Sequence, residues 1–398
     1  MARVLLAVLI CISCRTVAAE PLTIGLNYPA TGNHKWLGLS QMRGALMAVA
    51  EINEAGGVAG RMVKLVHQNS GGRPEKAVAN VDQMAALGAV MVMGGASSAE
   101  VIAAGLRSKS HGLPYFVPMA YASEVTAKEG HKYIFREGAS AHMANNVLME
   151  YLATTMPGSH YFIITSDDVI TKGRVGSLLV AARSKDISRA KHYREALSMA
   201  VKSDAQILVL MLYGNDAVDA MRVVGSLGLK DKMLVVIPNL QQEVVEQVGA
   251  GLMEGVIGTD TWTWQSPERE GNERGKTFVR DFAKRYGSYP SSSAASTYAI
   301  VYQWADAVRR AKTSDGPAVI AALEDHSYTL LKDEQKWRAV DHQNLQSMYV
   351  VKVRPREEVM KDSVKQDYFE VLHWMEGEVA APTEKEIRYE RSPEGWTD

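Results

Sequence analysis

The sequence contains little cysteine: only Cys11 and Cys14 occur among its 398 residues. Both lie in an N-terminal segment that has Arg3, an apolar run over 4–12 and small residues before Ala19. This pattern is typical of a secretory signal and predicts cleavage after Ala19, with lipid attachment at Cys14 as an alternative. The chain beyond the signal has no cysteine, which excludes a disulfide scaffold and leaves the hydrophobic core as the source of stability.

The sequence also lacks a strong charge of one sign and a long apolar run. Its net charge is −1, and removal of Arg3 and Arg15 with the signal changes it to −3. This charge excludes a strongly basic surface for nucleic acid or an anionic membrane. Beyond the signal, no stretch approaches the ~20 apolar residues of a membrane span. The 379 residues that remain of 398 exceed one typical core, so we expect two domains.

Motifs for catalysis, phosphate binding and metal binding are absent or incomplete. The segment GASSA (95–99) is close to the G-x-S-x-G elbow of hydrolases, but Ala99 replaces its final glycine. The chain has no G-K-[ST] after its glycines and no H-E-x-x-H, and Asp167-Asp168 fits a solvated turn better than a calcium site. We therefore expect no enzyme activity, catalytic residue, metal or cofactor, with a hydrolase as the alternative.

Apolar strands and amphipathic helices alternate along the chain. The first series has strands at 22–27, 62–69, 89–93 and 114–118, and helices that include 75–87. The second series begins after 137 and has helices at 141–154, 174–184, 215–226 and 241–249, with strands at 160–165, 190–197, 205–212 and 233–238. A helix at 296–312, a strand at 347–353 and a charged surface tail follow. Crossover helices between strands predict an α/β protein with two doubly wound parallel-sheet lobes.

The segment MVMGGASSAE (91–100) joins a strand to a helix through two glycines and two serines. Ser97 and Glu100 have the spacing of a capping box, which would satisfy the helix start by itself. The free N–H groups of a helix start, beside the Ser98 hydroxyl, also suit an anion. Both interpretations remain open from the residues alone.

Four segments resemble the type I periplasmic binding proteins of ABC importers, in particular the Leu/Ile/Val-binding group. They are GALMAVAEINEAGGVAGR (44–61), VMGGASSAEVIAAG (92–105), LPYFVPMAYASEVT (113–126) and ASTYAIVYQWADAV (295–308). The resemblance implies a periplasmic, monomeric protein that binds a small ligand and delivers it to permease subunits in the inner membrane. An exported ligand sensor is the alternative.

The resemblance also implies two lobes joined by three hinge crossovers, near 138–141, 261–265 and 342–347. The first lobe is expected to comprise 20–139 and 265–343, and the second 140–264 and 344–398. The cluster WRAVDHQ (337–343) would then lie near the last crossover.

The same resemblance assigns ligand contacts to both lobes. Ser97 and Ser98, with the following loop of Met119, Ala120 and Tyr121, would hold a carboxylate through hydroxyl and backbone N–H groups. Trp36 would cover the ligand. From the second lobe, the remaining predicted contacts are Lys172, Tyr213–Asn215 and Asn239. Tyr298 and Tyr302 are assigned to the core, because they lie four apart on one helix.

Three residues depart from the pattern of amino-acid binders in this family. Neutral Asn239 stands where an acidic residue pairs with the ligand's ammonium, so that ion pair is missing unless Glu243 or Asp260 replaces it. Tyr121 stands in place of a threonine, and Lys172 in place of an aromatic residue. These differences predict a small carboxylate ligand, either an amino acid or an aromatic or aliphatic acid without an α-ammonium.

Overall fold

The computed structural model describes residues 20–166, 179–184 and 190–390. The predicted signal, the Asp167-Asp168 pair and Lys172 lie outside the described residues. Within the described ranges, no helix is both long enough and apolar enough to cross a membrane.

The first lobe is built on a sheet of five parallel strands in the order β2-β1-β3-β4-β5. Its strands are β1 (Leu22–Tyr28), β2 (Val63–Asn69), β3 (Ala89–Met93), β4 (Tyr115–Val117) and β5 (Ile134–Arg136), and its first helices are α1 (Lys35–Glu54), α2 (Pro74–Ala86) and α3 (Ser98–Ser110). Most of these strands are short apolar runs whose residues are buried, as expected for a parallel sheet covered by helices on both faces.

The chain then enters a second lobe built on a seven-stranded sheet. This part contains α4 (Ala141–Thr155), β6 (Tyr161–Ser166), β7 (Leu179–Ser184), α5 (Ala190–Lys202), β8 (Ile207–Met211), α6 (Asn215–Ser226), β9 (Leu234–Ile237), α7 (Gln242–Val248), α8 (Ala250–Met253) and β10 (Ile257–Asp260). The strands β6 to β10 pair in parallel. Separate apolar cores lie on the two faces of this sheet.

After β10 the chain returns to the first lobe before it ends in the second. The returning part contains α9 (Ser266–Arg269), α10 (Glu273–Tyr286), α11 (Ser292–Ala311), α12 (Gly316–Leu323) and a small antiparallel sheet of β11 (Ser327–Tyr328), β12 (Gln335–Trp337) and β13 (Asn344–Leu345). The helix α11 packs closely on α1: a Cβ added to Gly44 would lie 2.2 Å from the carbonyl oxygen of Ala294. Glycine is therefore required at this helix crossing.

The C-terminal part completes the second sheet, whose order is β15-β14-β10-β9-β8-β6-β7. It contains β14 (Met348–Val353), α13 (Arg356–Val359), β15 (Phe369–Met375), α14 (Gly377–Ala380) and α15 (Glu384–Glu390). The chain thus passes between the two large sheets after β5, after β10 and after β13. The residue boundaries proposed for the lobes stay a prediction, and each lobe is identified below by its sheet.

Three sequence-based assignments are wrong. The predicted helix at 174–184 contains strand β7, and the predicted strand at 190–197 lies in helix α5. The tail assigned to the surface contributes β15, which pairs antiparallel to β14, and β14 is itself antiparallel to β10. The second sheet is therefore parallel with an antiparallel edge. Strand β15 is only half-buried, and Glu370 and His373 interrupt its apolar residues, so its apolar signal is weak.

Candidate functional site

The candidate site lies between the lobes, at the carboxyl ends of their parallel strands. Ser98 begins the helix after β3, Tyr121 lies in the loop after β4, and Tyr213 and Asn239 follow β8 and β9. Open α/β sheets bind ligands beyond these strand ends, because loops and helix N-termini meet there. The two lobes are in direct contact across this region, so the cleft is closed.

Ser97 and Ser98 play different roles at the start of α3. The capping box predicted for Ser97 is confirmed: its hydroxyl accepts a hydrogen bond from the Glu100 amide at 3.3 Å. In return, the Glu100 carboxylate accepts from the amides of Ala96 and Ser97 at 3.1 and 3.4 Å. The Ser98 hydroxyl accepts from the Ala122 amide at 3.2 Å. A hydroxyl that accepts one bond can still donate its own proton, so Ser98 can serve an anion.

The loop after β4 is held by a buried arginine that the sequence analysis did not identify. Arg136, 2% exposed, donates to the carbonyls of Ala120 and Ala122 at 3.3 and 2.6 Å. The same guanidinium donates to the side chains of Thr126 and Gln343 at 2.9 and 2.6 Å. These bonds fix the position of the loop. The signal available in the sequence is a single arginine at the end of the apolar strand IFR.

Tyr121 reaches from this loop into the second lobe. Its ring stacks on Tyr213 with a centroid distance of 5.1 Å and an interplanar angle of 28°. Its hydroxyl accepts a hydrogen bond from Gln241 Nε2 at 2.8 Å. Burial raises the pKa of Tyr121 well above its usual value, with a further increase from Asp260. Tyr121 is therefore a neutral interlobe contact.

Trp36 lies half-buried at the lobe interface, where it lines a small cavity of about 10 Å³. The lining residues come from both lobes and include Asn33, Gly214, Gln241 and Glu243. The Lys35 ammonium lies 4.4 Å from the centre of the indole ring. The structure therefore brings Trp36 to the cleft, beside the second-lobe residues that follow β8 and β9.

Asn33 closes one side of this cavity. Its side-chain amide donates to Asp216 Oδ2 at 3.0 Å, and its Oδ1 accepts from the Asn215 amide at 2.8 Å. The contact is close at Gly214, where an added Cβ would lie 2.6 Å from the Asn33 carbonyl oxygen. A side chain at position 214 would force the lobes apart, so glycine is needed for closure here.

Asn239 occupies a strained backbone position at the lobe interface. Its φ is +55°, an arrangement that asparagine tolerates better than most residues, and its amide donates to Thr259 Oγ1 at 3.1 Å. The side chain is 4% exposed and interacts with the hydroxyl of Tyr213. Burial raises the pKa of Tyr213 to about 12, although the interaction with Asn239 lowers it. Both side chains are thus uncharged near neutral pH.

Two carboxyl groups of the second lobe are buried against the start of α11. Glu243 Oε1 accepts a hydrogen bond from Ser291 Oγ at 2.5 Å, and Asp260 Oδ1 accepts from the Thr261 amide at 2.7 Å. Burial raises the pKa of Asp260 to about 8; a hydrogen bond with Ser292 opposes the increase, and the Glu243 charge adds to it. Burial also raises the pKa of Glu243. The structure therefore places acidic side chains in the cleft, although not at position 239.

Behind these carboxyls, buried charged residues connect the crossovers. Lys332, 3% exposed, donates to the carbonyls of Thr261 and Ser347 at 2.7 and 3.1 Å, and so joins two crossovers. Glu137 lies in the remaining crossover and, with Lys332, lines a second small cavity of about 10 Å³. Burial raises the pKa of Glu137. Neither residue is predictable from the sequence, since an isolated Lys or Glu outside an apolar strand has no distinctive pattern.

The other residues singled out in the sequence lie in a helix contact or beside a crossover. Tyr298 and Tyr302 donate to Glu51 Oε2 at 2.5 and 2.8 Å in the contact of α11 with α1, as their assignment to the core predicted. His342 is buried and stacks on Phe135 beside the last crossover. In the described part of the chain, no three His, Cys, Asp or Glu side chains are grouped to hold a metal ion.

A family model described as periplasmic binding protein matches residues 21–358. The chain belongs to the periplasmic binding protein family. Members of this family are periplasmic solute-binding proteins. Among curated relatives, the Leu/Ile/Val-binding protein homolog 8 of Brucella abortus (strain 2308) is 26% identical over 303 residues, which are 71% of this chain and 74% of the relative.

Solved structures of periplasmic binding proteins show the same fold. An amino acid ABC transporter substrate-binding protein from Pseudomonas fluorescens Pf-5 aligns with a TM-score of 0.79 at 21% identity, over 92% of this chain and 98% of its own. A branched-chain amino acid transporter substrate-binding protein from Streptococcus pneumoniae, in complex with isoleucine, aligns with a TM-score of 0.74 at 20% identity. The alignment covers 88% of this chain and 99% of that protein. A solute-binding protein from Rhodopseudomonas palustris BisB5, in complex with 3,4-dihydroxybenzoic acid, aligns with a TM-score of 0.74 at 17% identity. The alignment covers 90% of this chain and 98% of that protein.

Proposed function

We propose that this periplasmic binding protein captures a small carboxylate-bearing ligand, foremost an amino acid, between its lobes and delivers it to the membrane permease of an ABC importer. The observation that supports this proposal is the opposite chemistry of the two sides of the cleft. On the first-lobe side, Ser98 and the N-terminus of α3 favour an anion. On the second-lobe side, Glu243 and Asp260 favour a cation once they ionise.

An amino acid fits both sides. Its carboxylate would accept the Ser98 proton and backbone N–H groups, and its ammonium would pair with Glu243 or Asp260 in place of an acidic residue at 239. A nearby ammonium would lower the pKa of these carboxyls and so favour their charged form. The isoleucine complex of the Streptococcus pneumoniae protein supports an amino acid as the first ligand class to test.

A thermal-shift screen tests the ligand class. The panel contains amino acids, aromatic acids and short aliphatic acids, with sugars and inorganic cations as negative controls. A ligand present at 100 times its dissociation constant should add about 2.7 kcal/mol to the free energy of unfolding. Shifts with sugars or cations alone would contradict a carboxylate ligand.

A carboxylic acid without an ammonium is the second candidate, because Asn239 is neutral and Asp260 holds its proton up to about pH 8. The substitution Asn239→Asp separates the candidates. Added negative charge should strengthen binding of an amino acid and weaken that of a plain carboxylate, each by about 1 kcal/mol in titration calorimetry. The control Gln83→Glu changes the net charge equally on the exposed surface of α2 and should leave both affinities unchanged. A weaker amino acid complex in the Asn239 variant would support the plain acid.

Delivery to a permease is a separate part of the proposal. Genes for two permeases and two ATPases beside the coding gene would support it, and the purified transporter should hydrolyse ATP faster with the liganded protein. An adjacent sensor kinase without transporter genes would favour an exported ligand sensor instead.

A further inference from the structure

We propose that Tyr121 limits the length of the ligand, so that the cleft binds short-chain carboxylates in preference to longer ones. This inference rests on the proposed carboxylate-binding function. It concerns a residue that occupies the cleft itself: the Tyr121 ring crosses from one lobe to the other and takes up space that a ligand side chain would need.

The position of the ring is defined at both ends. At the first-lobe end, the neighbouring Ala122 amide donates to Ser98 Oγ at 3.2 Å, so the ring begins beside the proposed carboxylate contact. At the second-lobe end, its hydroxyl accepts from Gln241 Nε2 at 2.8 Å. The side chain between these ends is 8% exposed and is stacked on Tyr213. Tyr121 thus spans the cleft directly beside the expected position of the ligand.

The backbone of Tyr121 is also held in place. Its carbonyl accepts a hydrogen bond from the Ala141 amide at 2.6 Å, across the first crossover. The carbonyls of Ala120 and Ala122, on either side, are bound by the buried Arg136. A longer ligand could therefore displace the ring only by breaking several buried hydrogen bonds, which makes the ring an effective steric limit.

The space beyond the ring is small. The closed cavity that Trp36, Gln241 and Glu243 line has a volume of only about 10 Å³, which is room for about one water molecule. Gln241 lines this cavity and also donates to the Tyr121 hydroxyl, so one side chain connects the cavity with the ring. Replacement of the ring by a methyl group would remove the side chain that spans the cleft.

The test uses titration calorimetry on the mature protein with two ligand series. One contains glycine, alanine, 2-aminobutyrate, leucine and phenylalanine, and the other contains acetate, propionate, butyrate, hexanoate and benzoate. The wild-type protein should bind the two- to four-carbon members of at least one series at least tenfold more tightly than its longest members. Tyr121→Ala should reverse this order, with a gain of tenfold or more for the longest members. Tyr121→Phe, the matched control, keeps the ring without the bond to Gln241 and should keep the wild-type order.

Wild-type binding of the longest members as tight as that of the shortest would overturn the length limit and leave the proposed function intact. An unchanged order of ligand affinities in Tyr121→Ala would also overturn the length limit and leave the proposed function intact. If Tyr121→Ala does not fold, Tyr213→Ala removes the stacked partner from the other lobe and should relax the order in the same direction. No binding of any member of either series would overturn the proposed function and this inference together.

Discussion

The two sides of the cleft satisfy their polar groups in different ways. On the first-lobe side, Ser97 bonds within its own helix start, and Arg136 holds the carbonyls of the loop after β4. All of these bonds are made inside the first lobe or at a crossover. On the second-lobe side, Glu243 accepts a hydrogen bond from Ser291 and Asp260 lies close to Ser292, and both serines lie at the start of α11 in the first lobe.

This difference indicates which side is complete before the lobes close. The bonds of Ser97 and Arg136 are kept when the lobes separate, because they do not cross the cleft, unlike the bonds of Asn33 and Tyr121 to the second lobe. The Glu243–Ser291 bond forms only when the lobes meet, and closure also buries Asp260, so the protonation of both carboxyls is linked to closure. We infer that the first lobe offers a rigid anion contact, and that closure adds the acidic contacts.

The largest expected effect is a pH dependence that arises on the second-lobe side. Asp260 holds its proton up to about pH 8 in the closed protein, whereas an unfolded Asp ionises near pH 3.9. The native state therefore binds more protons between these values, and the free energy of unfolding should fall as the pH rises from about 4 to about 8. We expect a loss of a few kcal/mol, since one pKa unit corresponds to about 1.4 kcal/mol.

Urea unfolding of the ligand-free protein at pH 5, 6, 7, 8 and 9 measures this dependence. The variant Asp260→Asn keeps the size of the side chain and removes its titration, so its stability should change less between pH 5 and pH 8. If the free energy of unfolding fell equally with pH in the wild-type protein and the variant, Asp260 would not retain its proton on closure.

The next effect concerns the first-lobe side. Arg136→Ala removes four buried hydrogen bonds and should lower the free energy of unfolding by about 3 kcal/mol or more, because carbonyls and side chains are left without partners. The control Arg107→Ala removes a surface ion pair with Asp82 and should cost under about 1 kcal/mol. Urea unfolding at pH 7 compares the two. A similar cost for both would mean that the loop does not depend on Arg136.

The smallest effects distinguish the two serines. Ser98→Ala should weaken ligand binding by about 1–3 kcal/mol and leave the fold nearly unchanged, because a charged group loses one donor. Ser97→Ala should cost about 1 kcal/mol of fold stability through the lost cap, with a smaller change in affinity. Titration calorimetry and urea unfolding of each variant separate these outcomes. Unchanged ligand affinity in both variants would show that the ligand binds away from the start of α3.

The sequence predicted the parts of the fold that depend on local pattern. Helix starts and apolar strands were identified along the first lobe, and the capping box of Ser97 was identified from spacing alone. The pattern failed at 179–184 and 190–197, where strand β7 and helix α5 were interchanged, and at β15, whose apolar residues are interrupted by Glu370 and His373. Edge strands depend on a partner strand, which local sequence does not reveal.

The fold family and the polar residues near the strand ends follow from the sequence alone, because helix and strand periodicity and the family segments are local properties. Which of these residues meet depends on the tertiary structure. Glu243 and Ser291 are far apart in the chain and within 2.5 Å in space, and Tyr121 faces Tyr213 from the other lobe. The burial that shifts the Asp260 pKa exists only when two lobes exclude water from the same carboxyl.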